Sequence, residues 1–178
     1  MVETSRLLII PLIIDELELY LQSKGLLEEK LQLRKTGRTI VPEIKERVQR
    51  LILPKMRVAE EDHYLFHTFW IVVEKSARAI VAELGFKGIP DENAAIEIGY
   101  GTLPDHRGNG FMTEAIGGMI AWANDRPEVS TILAETDETN KISISVLQKN
   151  KFHLIDKKGN MLWWSIEVKS DSFRPLPL

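Results

Sequence analysis

The residues with the clearest chemical potential are those of "DHRGNGFMTEA", residues 105–115. Gly108 and Gly110 flank Asn109, Arg107 stands just before them, and an amphipathic run begins just after. Without Cβ atoms the glycines let backbone N–H groups approach a ligand closely, and at a helix start those groups lack partners within the helix. Such a turn binds phosphate. Two well-known phosphate turns are excluded. A P-loop needs G-x-x-x-x-G-K-[ST], and nothing in the chain matches it. A dinucleotide fingerprint needs G-x-G-x-x-G, but Gly108-Asn109-Gly110 runs on to Thr113 and no acid follows about twenty residues later at a strand end.

The elements that must position this turn are legible around it. "AAIEIGYGTL" (94–103) ahead of it is rich in β-branched and aromatic residues, as are "TFWIVVE" (68–74) and "AIVAELGF" (79–86). Turn-like "KSAR" and "KGIPDEN" separate them, which predicts a meander of three antiparallel strands. Behind the turn, apolar residues at 112, 115, 116, 119, 120 and 123 form a helical stripe over 111–124. "STILAET" reads as a buried strand, "NKISISVLQKN" as a short helix, and "FHLI" and "MLWWSIEV" as two closing strands. Near the start, "RLLII" is a strand that Pro11 closes, and Asp15 with Glu18 is placed to cap a first helix. Ile44, Val48, Leu51 and Ile52, with Pro42 in the first turn, predict a second helix. The order β-α-α-β-β-β-α-β-α-β-β gives an α+β domain over 1–178, with 170–178 as a tail.

Composition narrows the partners. The 178 residues are 44% hydrophobic and 28% charged, as in ordinary globular proteins. A net charge of −3 without a basic stripe argues against nucleic acid. No apolar run approaches the ~20 residues of a membrane span, so no membrane partner is expected. Cysteine is absent, which removes thiolate nucleophiles and Cys-based zinc sites and fits a cytoplasmic protein. His63 and His67 are four apart, yet no third ligand or HExxH pattern supports a metal. Oligomeric state, monomer or homodimer, is not readable.

"RGNGFM" resembles the [RQ]-x-x-G-x-[GA] motif of the GNAT-superfamily N-acetyltransferases, with Arg107 and Gly110 at its first and fourth positions. Met112 stands where Gly or Ala is usual. "TDETNKISISVLQKNKF" is similar to the family's strand–Asn–helix segment, and its N-x-x-S-x-x-V-L-x-K pattern resembles the Rim-type branch that acetylates N-termini of ribosomal proteins. "SRLLIIPLIIDELELYL" and "GFKGIP" are similar to that branch too. The resemblance implies the GNAT fold, a mixed, mostly antiparallel central sheet flanked by helices. It implies acetyl-CoA as cosubstrate, held by Leu103 (backbone, at the thioester), Arg107, Gly108, Asn109, Gly110, Phe111, Met112, Thr113, Asn140 and Ser143.

The implied reaction is direct attack of an amine on the thioester, with no enzyme nucleophile and no metal. Glu97, six residues before Leu103, stands at the offset where many such enzymes hold a catalytic base, and strand alternation puts it on one face with Gly99 and Gly101. Glu83 on the neighbouring strand is the reserve. The family's usual acid, a tyrosine seven residues after the Asn, is replaced by Leu147, and the resemblance assigns the role to Ser143. Asn140 is also placed to cap its helix. Lys151 stands where Gly is usual, which leaves Asn150 to take the left-handed stop. At pH 7.4 roughly a fifth of an α-amine is neutral, against ~0.1% of a lysine, so a site with one glutamate suits an α-amine, as at a protein N-terminus, or another weakly basic amine. A small-molecule amine and a non-catalytic acyl-CoA-binding module stay open as alternatives. The acceptor site is expected between the two early helices and the hairpin at 161–168.

Overall fold

The computed structural model describes residues 1–22, 24–60 and 63–168; the expected tail lies outside the described residues. Alternating apolar runs become the strands of one sheet: β1 (Val2–Glu3), β2 (Leu7–Pro11), β3 (Phe69–Glu74), β4 (Ala79–Phe86), β5 (Ala95–Thr102), β6 (Thr131–Asp137), β7 (His153–Lys158) and β8 (Met161–Glu167). Their spatial order is β1-β2-β3-β4-β5-β6-β8-β7. Every pairing is antiparallel except β5 with β6. That exception places the site. β5 and β6 run together only over Ala95–Glu97 and Thr131–Leu133. Beyond Glu97, β5 stays with β4 up to Ala82↔Thr102, while β6 stays with β8 up to Asp137↔Met161. The two strands splay and a wedge opens between them.

The helices cover both faces. α5 (Phe111–Asn124) lies on one, burying Phe111, Met112, Ala115, Ile116, Met119 and Ala123 against Leu7, Ile9, Val72 and Leu84. It sits close: a Cβ on Gly118 would come within 2.9 Å of the Thr4 methyl. α6 (Lys141–Lys149) adds Val146 and Leu147 to the same core. On the other face, α1 (Ile14–Gln22) and the rod running from α3 (Pro42–Arg47) to α4 (Leu53–Val58) bury Leu17, Tyr20, Val48, Ile52 and Met56 against Ile71, Val73 and Ile80. Between α3 and α4 the chain does not stop but widens into a π-helical turn, Val48–Ile52. Pro54 follows it; having no N–H and a ring that crowds the preceding turn, it forces the ladder to re-register.

Several sequence expectations are corrected. β1 and the five-residue α2 (Leu26–Lys30) were not anticipated, and β7 extends to Lys158 rather than ending at Ile155. Pro11 is inside β2, at its last position and past the reach of β1, where its missing N–H costs no ladder bond. Asp15 does not cap α1; the Ile13 N–H donates to Glu16 Oε2 at 3.1 Å, and Glu18 instead pairs with Arg57. Asn150 has an ordinary φ of −89°, and Lys151 takes the left-handed position at φ +66°. Asn150 is held by its own side chain, whose Nδ2 donates to Thr113 O and Val146 O at 3.1 and 3.0 Å.

Candidate active site

A cavity of about 610 Å³ fills the wedge. Its walls are Tyr100, Gly101 and Thr102 of β5, the turn from His106 to Thr113, and one face of α6. Gly108 and Gly110 both have left-handed backbone, φ +80° and +75°, which folds the turn tightly ahead of α5. Glu114 is the first residue of the helix whose amide is bonded, to the Gly110 carbonyl at 3.1 Å. Among the described residues, the amides of 108–113 have no protein acceptor. A row of free donors at the positive end of a 14-residue helix is an anion site. A Cβ on Gly108 would meet nothing within 4 Å, so the turn is open to a ligand.

The turn is braced from the connection between β1 and β2. Arg6 Nη1 donates to Asn109 O at 3.0 Å, its Nε to Glu114 Oε2 at 2.6 Å, and its amide to Glu114 Oε1 at 2.7 Å. The Thr4 hydroxyl donates to the same oxygen at 2.7 Å. Burial alone would raise the Glu114 carboxyl, but these donors outweigh it and hold it below the usual carboxylate range. The guanidinium of Arg6 also covers the Phe111 ring, 4.9 Å from its centroid.

The expected cofactor residues fall into three groups. Arg107, Gly108, Gly110, Phe111, Met112, Thr113, Asn140 and Ser143 line the wedge, Met112 with a side chain buried in the core. Asn109 offers only its amide, because its Nδ2 turns back to the carbonyls of His106 and Arg107, 3.2 Å each. Leu103 does not line it: its N–H donates to Val81 O at 3.0 Å and its carbonyl accepts from His106 at 2.9 Å. The reason is parity. Odd residues of β5 spend their backbone groups on β4, so Tyr100 and Thr102 turn theirs toward the wedge. Arg107 Nε already reaches Thr102 O at 3.4 Å.

Across the wedge from β5, Asn140 caps α6, its Oδ1 accepting from the Ser143 amide at 3.0 Å. The Ser143 hydroxyl meets the Tyr100 hydroxyl at 2.8 Å. Burial pushes the Tyr100 phenol up, only partly offset by Ser143, so it remains protonated. The sequence reading missed Tyr100 because alternation put it on the apolar face with Ile96 and Ile98. It also missed Lys141, Ser145 and Lys149, although their spacing of four along α6 gave one shared face.

A second cavity of about 440 Å³ opens on the opposite, α3–α4 side of the sheet. Ile44, Arg47, Leu51, Ile52 and Lys55 form one wall, and His67, Phe69, Glu83, Lys87 and the glycines of β4 and β5 form the rest. The hairpin at 161–168 does not line it, contrary to expectation. The two cavities share Tyr100 and Gly101. Glu83 projects into this second space. Its Oε2 accepts from the Tyr20 hydroxyl at 2.9 Å, and the buried Arg38 guanidinium stands 3.6 Å from Oε1. Burial raises the Glu83 carboxyl above the usual range; Arg38 and Tyr20 work against that, and Glu28 adds to it. Glu97, on the same face as Gly99 and Gly101, lines neither cavity and is ion-paired with Lys87. At Glu97 β5 is still paired on both sides, so the wedge has not yet opened there. His63 lies in a short 3₁₀ turn, His67 at the cavity wall, and no cluster of three or more His, Asp or Glu suited to a metal occurs among the described residues. No helix among those residues is long and apolar enough to cross a membrane.

Comparison with known proteins agrees with this geometry. The acetyltransferase (GNAT) domain model matches residues 6–153. A Bacillus subtilis (strain 168) protein named as the uncharacterized N-acetyltransferase YjdG is 41% identical over 100 residues, 56% of this chain and 60% of that one. The chain spans about half the length of the curated relatives it matches. Among solved structures, RimL, the ribosomal L7/L12 alpha-N-protein acetyltransferase in complex with coenzyme A, superposes with a TM-score of 0.65 at 17% identity, covering 94% of this chain and 97% of that one. The ribosomal-protein-S5-alanine acetyltransferase of Vibrio fischeri gives 0.64 at 20% identity, covering 97% and 98%. These likenesses establish the fold.

Proposed function

The chain belongs to the GNAT acetyltransferase family, and we propose that it transfers an acetyl group from acetyl-CoA to a protein N-terminal α-amine, with both substrates bound at once. The observation that carries this reading is the row of unpartnered amides at 108–113 beside a wedge that meets a second cavity at Tyr100 and Gly101. The wedge suits acetyl-CoA. The free amides and Arg107 answer its pyrophosphate, and the unpaired edge of β5 at Tyr100 and Thr102 answers its pantetheine amides. Bound there, acetyl-CoA supplies a thioester carbon open to an amine.

The chain's own residues do the rest. Holding both reactants at the junction turns a bimolecular encounter into an oriented one. Glu83 takes the proton from the incoming ammonium, since it is the carboxylate facing the acceptor cavity and its raised pKa suits a base near neutrality. As the C–S bond breaks, the second proton shed by the acylated nitrogen passes to the departing sulfur, whose developing thiolate the Ser143 hydroxyl stabilises with a hydrogen bond; Tyr100, 2.8 Å from Ser143 Oγ, holds that hydroxyl in place. The Rim-type neighbours, whose printed names refer to ribosomal proteins, support the choice of an N-terminal α-amine.

The test is a thioester-consumption assay with ribosomal N-terminal peptides against a panel of small amines. Glu83→Gln should lower kcat/KM by on the order of 10²-fold or more, with acetyl-CoA affinity kept, whereas Glu97→Gln should stay within about threefold. Because the base acts deprotonated, the acid limb of the wild-type pH profile should sit above the ordinary glutamate range and vanish in Glu83→Gln. An acid limb that survives Glu83→Gln but not Glu97→Gln would transfer the role to Glu97. Faster turnover of a small amine than of every peptide would favour a small-molecule acceptor.

A further inference from the structure

The acceptor cavity carries an uneven charge. Among the described residues Glu83 is the one carboxylate in its lining, set among glycine backbone at Gly85, Gly99 and Gly101. A Cβ on Gly99 or Gly101 would meet nothing within 4 Å, so this floor is open space beside the strand. The opposite wall is cationic. Ile44, Arg47, Leu51, Ile52 and Lys55 project from one face of the α3–α4 rod, kept in line by the π turn. Of the other cations on the rod, Arg50 pairs with Glu46 and Arg57 with Glu18, while Lys45 lies outside the cavity lining. Arg47 and Lys55 are exposed and have no ion pair among the described residues. Eight residues apart on a helix, they stand roughly 12 Å from one another and span the cavity's length. Lys87, the remaining cation of the lining, is taken by Glu97 and Glu135. His67 senses the field: burial first, then Lys55 and His63, push its imidazole below the ordinary value, so it carries no charge that an anion must share.

We propose that the acceptor is an amine bearing an anionic group, specifically a peptide α-amine followed within its first few residues by Asp or Glu, with the amine at Glu83 and the carboxylate at Arg47 and Lys55. This rests on the acetyltransferase reading and names the substrate class for that same site. A chain segment advances about 3.3–3.6 Å per residue, so a side-chain carboxylate two or three residues from the amine reaches the cationic wall. A cavity of about 440 Å³ is within the range of small-ligand sites, and holds the first few residues of such a peptide rather than a folded surface. Unpaired cations facing a like-charged peptide repel it, so the wall selects against basic sequences as much as it attracts acidic ones.

The experiment uses the full chain and three matched peptides differing only at positions two and three: Asp-Glu, Asn-Gln or Lys-Lys. Wild-type kcat/KM should rank acidic above neutral above basic, with acidic over basic by about tenfold or more at low salt, and the spread should shrink in high salt. Arg47→Glu with Lys55→Glu should bring that ratio to one or below. The ratio is taken within a single preparation, so partial misfolding cancels; Arg47→Gln with Lys55→Gln gives a milder intermediate. Equal rates on all three peptides, or a preference untouched by the charge reversal, would overturn the proposal. So would faster turnover of a free amine carrying a carboxylate, such as β-alanine, than of the acidic peptide. Peptide affinity of the CoA-saturated protein is measured in parallel. Charge-ranked binding without any acetyl transfer would count against the proposed activity while upholding this assignment of the cavity.

Discussion

At the scale of single residues, the Tyr100–Ser143 contact is the most informative. Leu147 leaves α6 without the phenol that the family usually provides, yet a phenol arrives from β5, hydrogen-bonded to the serine at 2.8 Å. In the proposed mechanism Tyr100 acts through Ser143 as a positioning residue, so its loss should be smaller than loss of the serine. Tyr100→Phe removes one hydrogen bond and should lower kcat by about two- to tenfold, with KM for acetyl-CoA nearly unchanged. Ser143→Ala should cost on the order of 10²-fold. A Tyr100→Phe loss confined to KM would show a packing role instead. Sequence alone could not have found this pair: alternation along β5 gives Tyr100 the same parity as Ile96 and Ile98, and only the meeting of β5 with α6 brings it to the hydroxyl. Parity along the same strand was the missing step for Leu103, whose N–H and carbonyl both turn out to be spent inside the protein.

At the scale of elements, the glycine turn and α5 were legible down to their boundaries, because a glycine pair ahead of a 3.6-residue apolar stripe leaves few alternatives. β4 was equally clear over Ala79–Phe86. What escaped were elements too short for any period to show, the two-residue β1 and five-residue α2, and the π turn, whose cause is a proline two residues after it ends. The brace on the turn was also invisible, since Arg6 and Glu114 are 108 residues apart. It gives a prediction at this scale. Arg6 is half exposed, and exposed ion pairs contribute at most about 1 kcal/mol, so Arg6→Ala should weaken acetyl-CoA binding by about three- to fivefold in calorimetry and lower Tm by a few degrees. Glu114→Gln should reproduce most of the affinity loss, because Arg6 then lacks the carboxylate that aims it at Asn109 O. No change in affinity in either variant would mean the turn holds its shape unaided.

At the scale of the whole molecule, the β-α-α-β-β-β-α-β-α-β-β reading captured the layout but not the sheet order, in which β8 inserts between β6 and β7. That order is a long-range pairing choice that local patterns do not encode. It matters because β8 draws β6 away from β5, and the resulting wedge and the proposed acceptor cavity lie on opposite sides of one strand, sharing Tyr100 and Gly101 among the described residues. In the proposed reaction each reactant enters from its own side, and the shared lining at Tyr100 and Gly101 is the window between them. A carrier loaded with propionyl or butyryl instead of acetyl would push its extra carbons through that window into the berth kept for the nucleophile. Longer acyl donors should still load, with dissociation constants close to that of acetyl-CoA, but turn over poorly, and their apparent KM for the amine should climb with each added methylene. The gap in the sheet would then act as a ruler for the group being passed on.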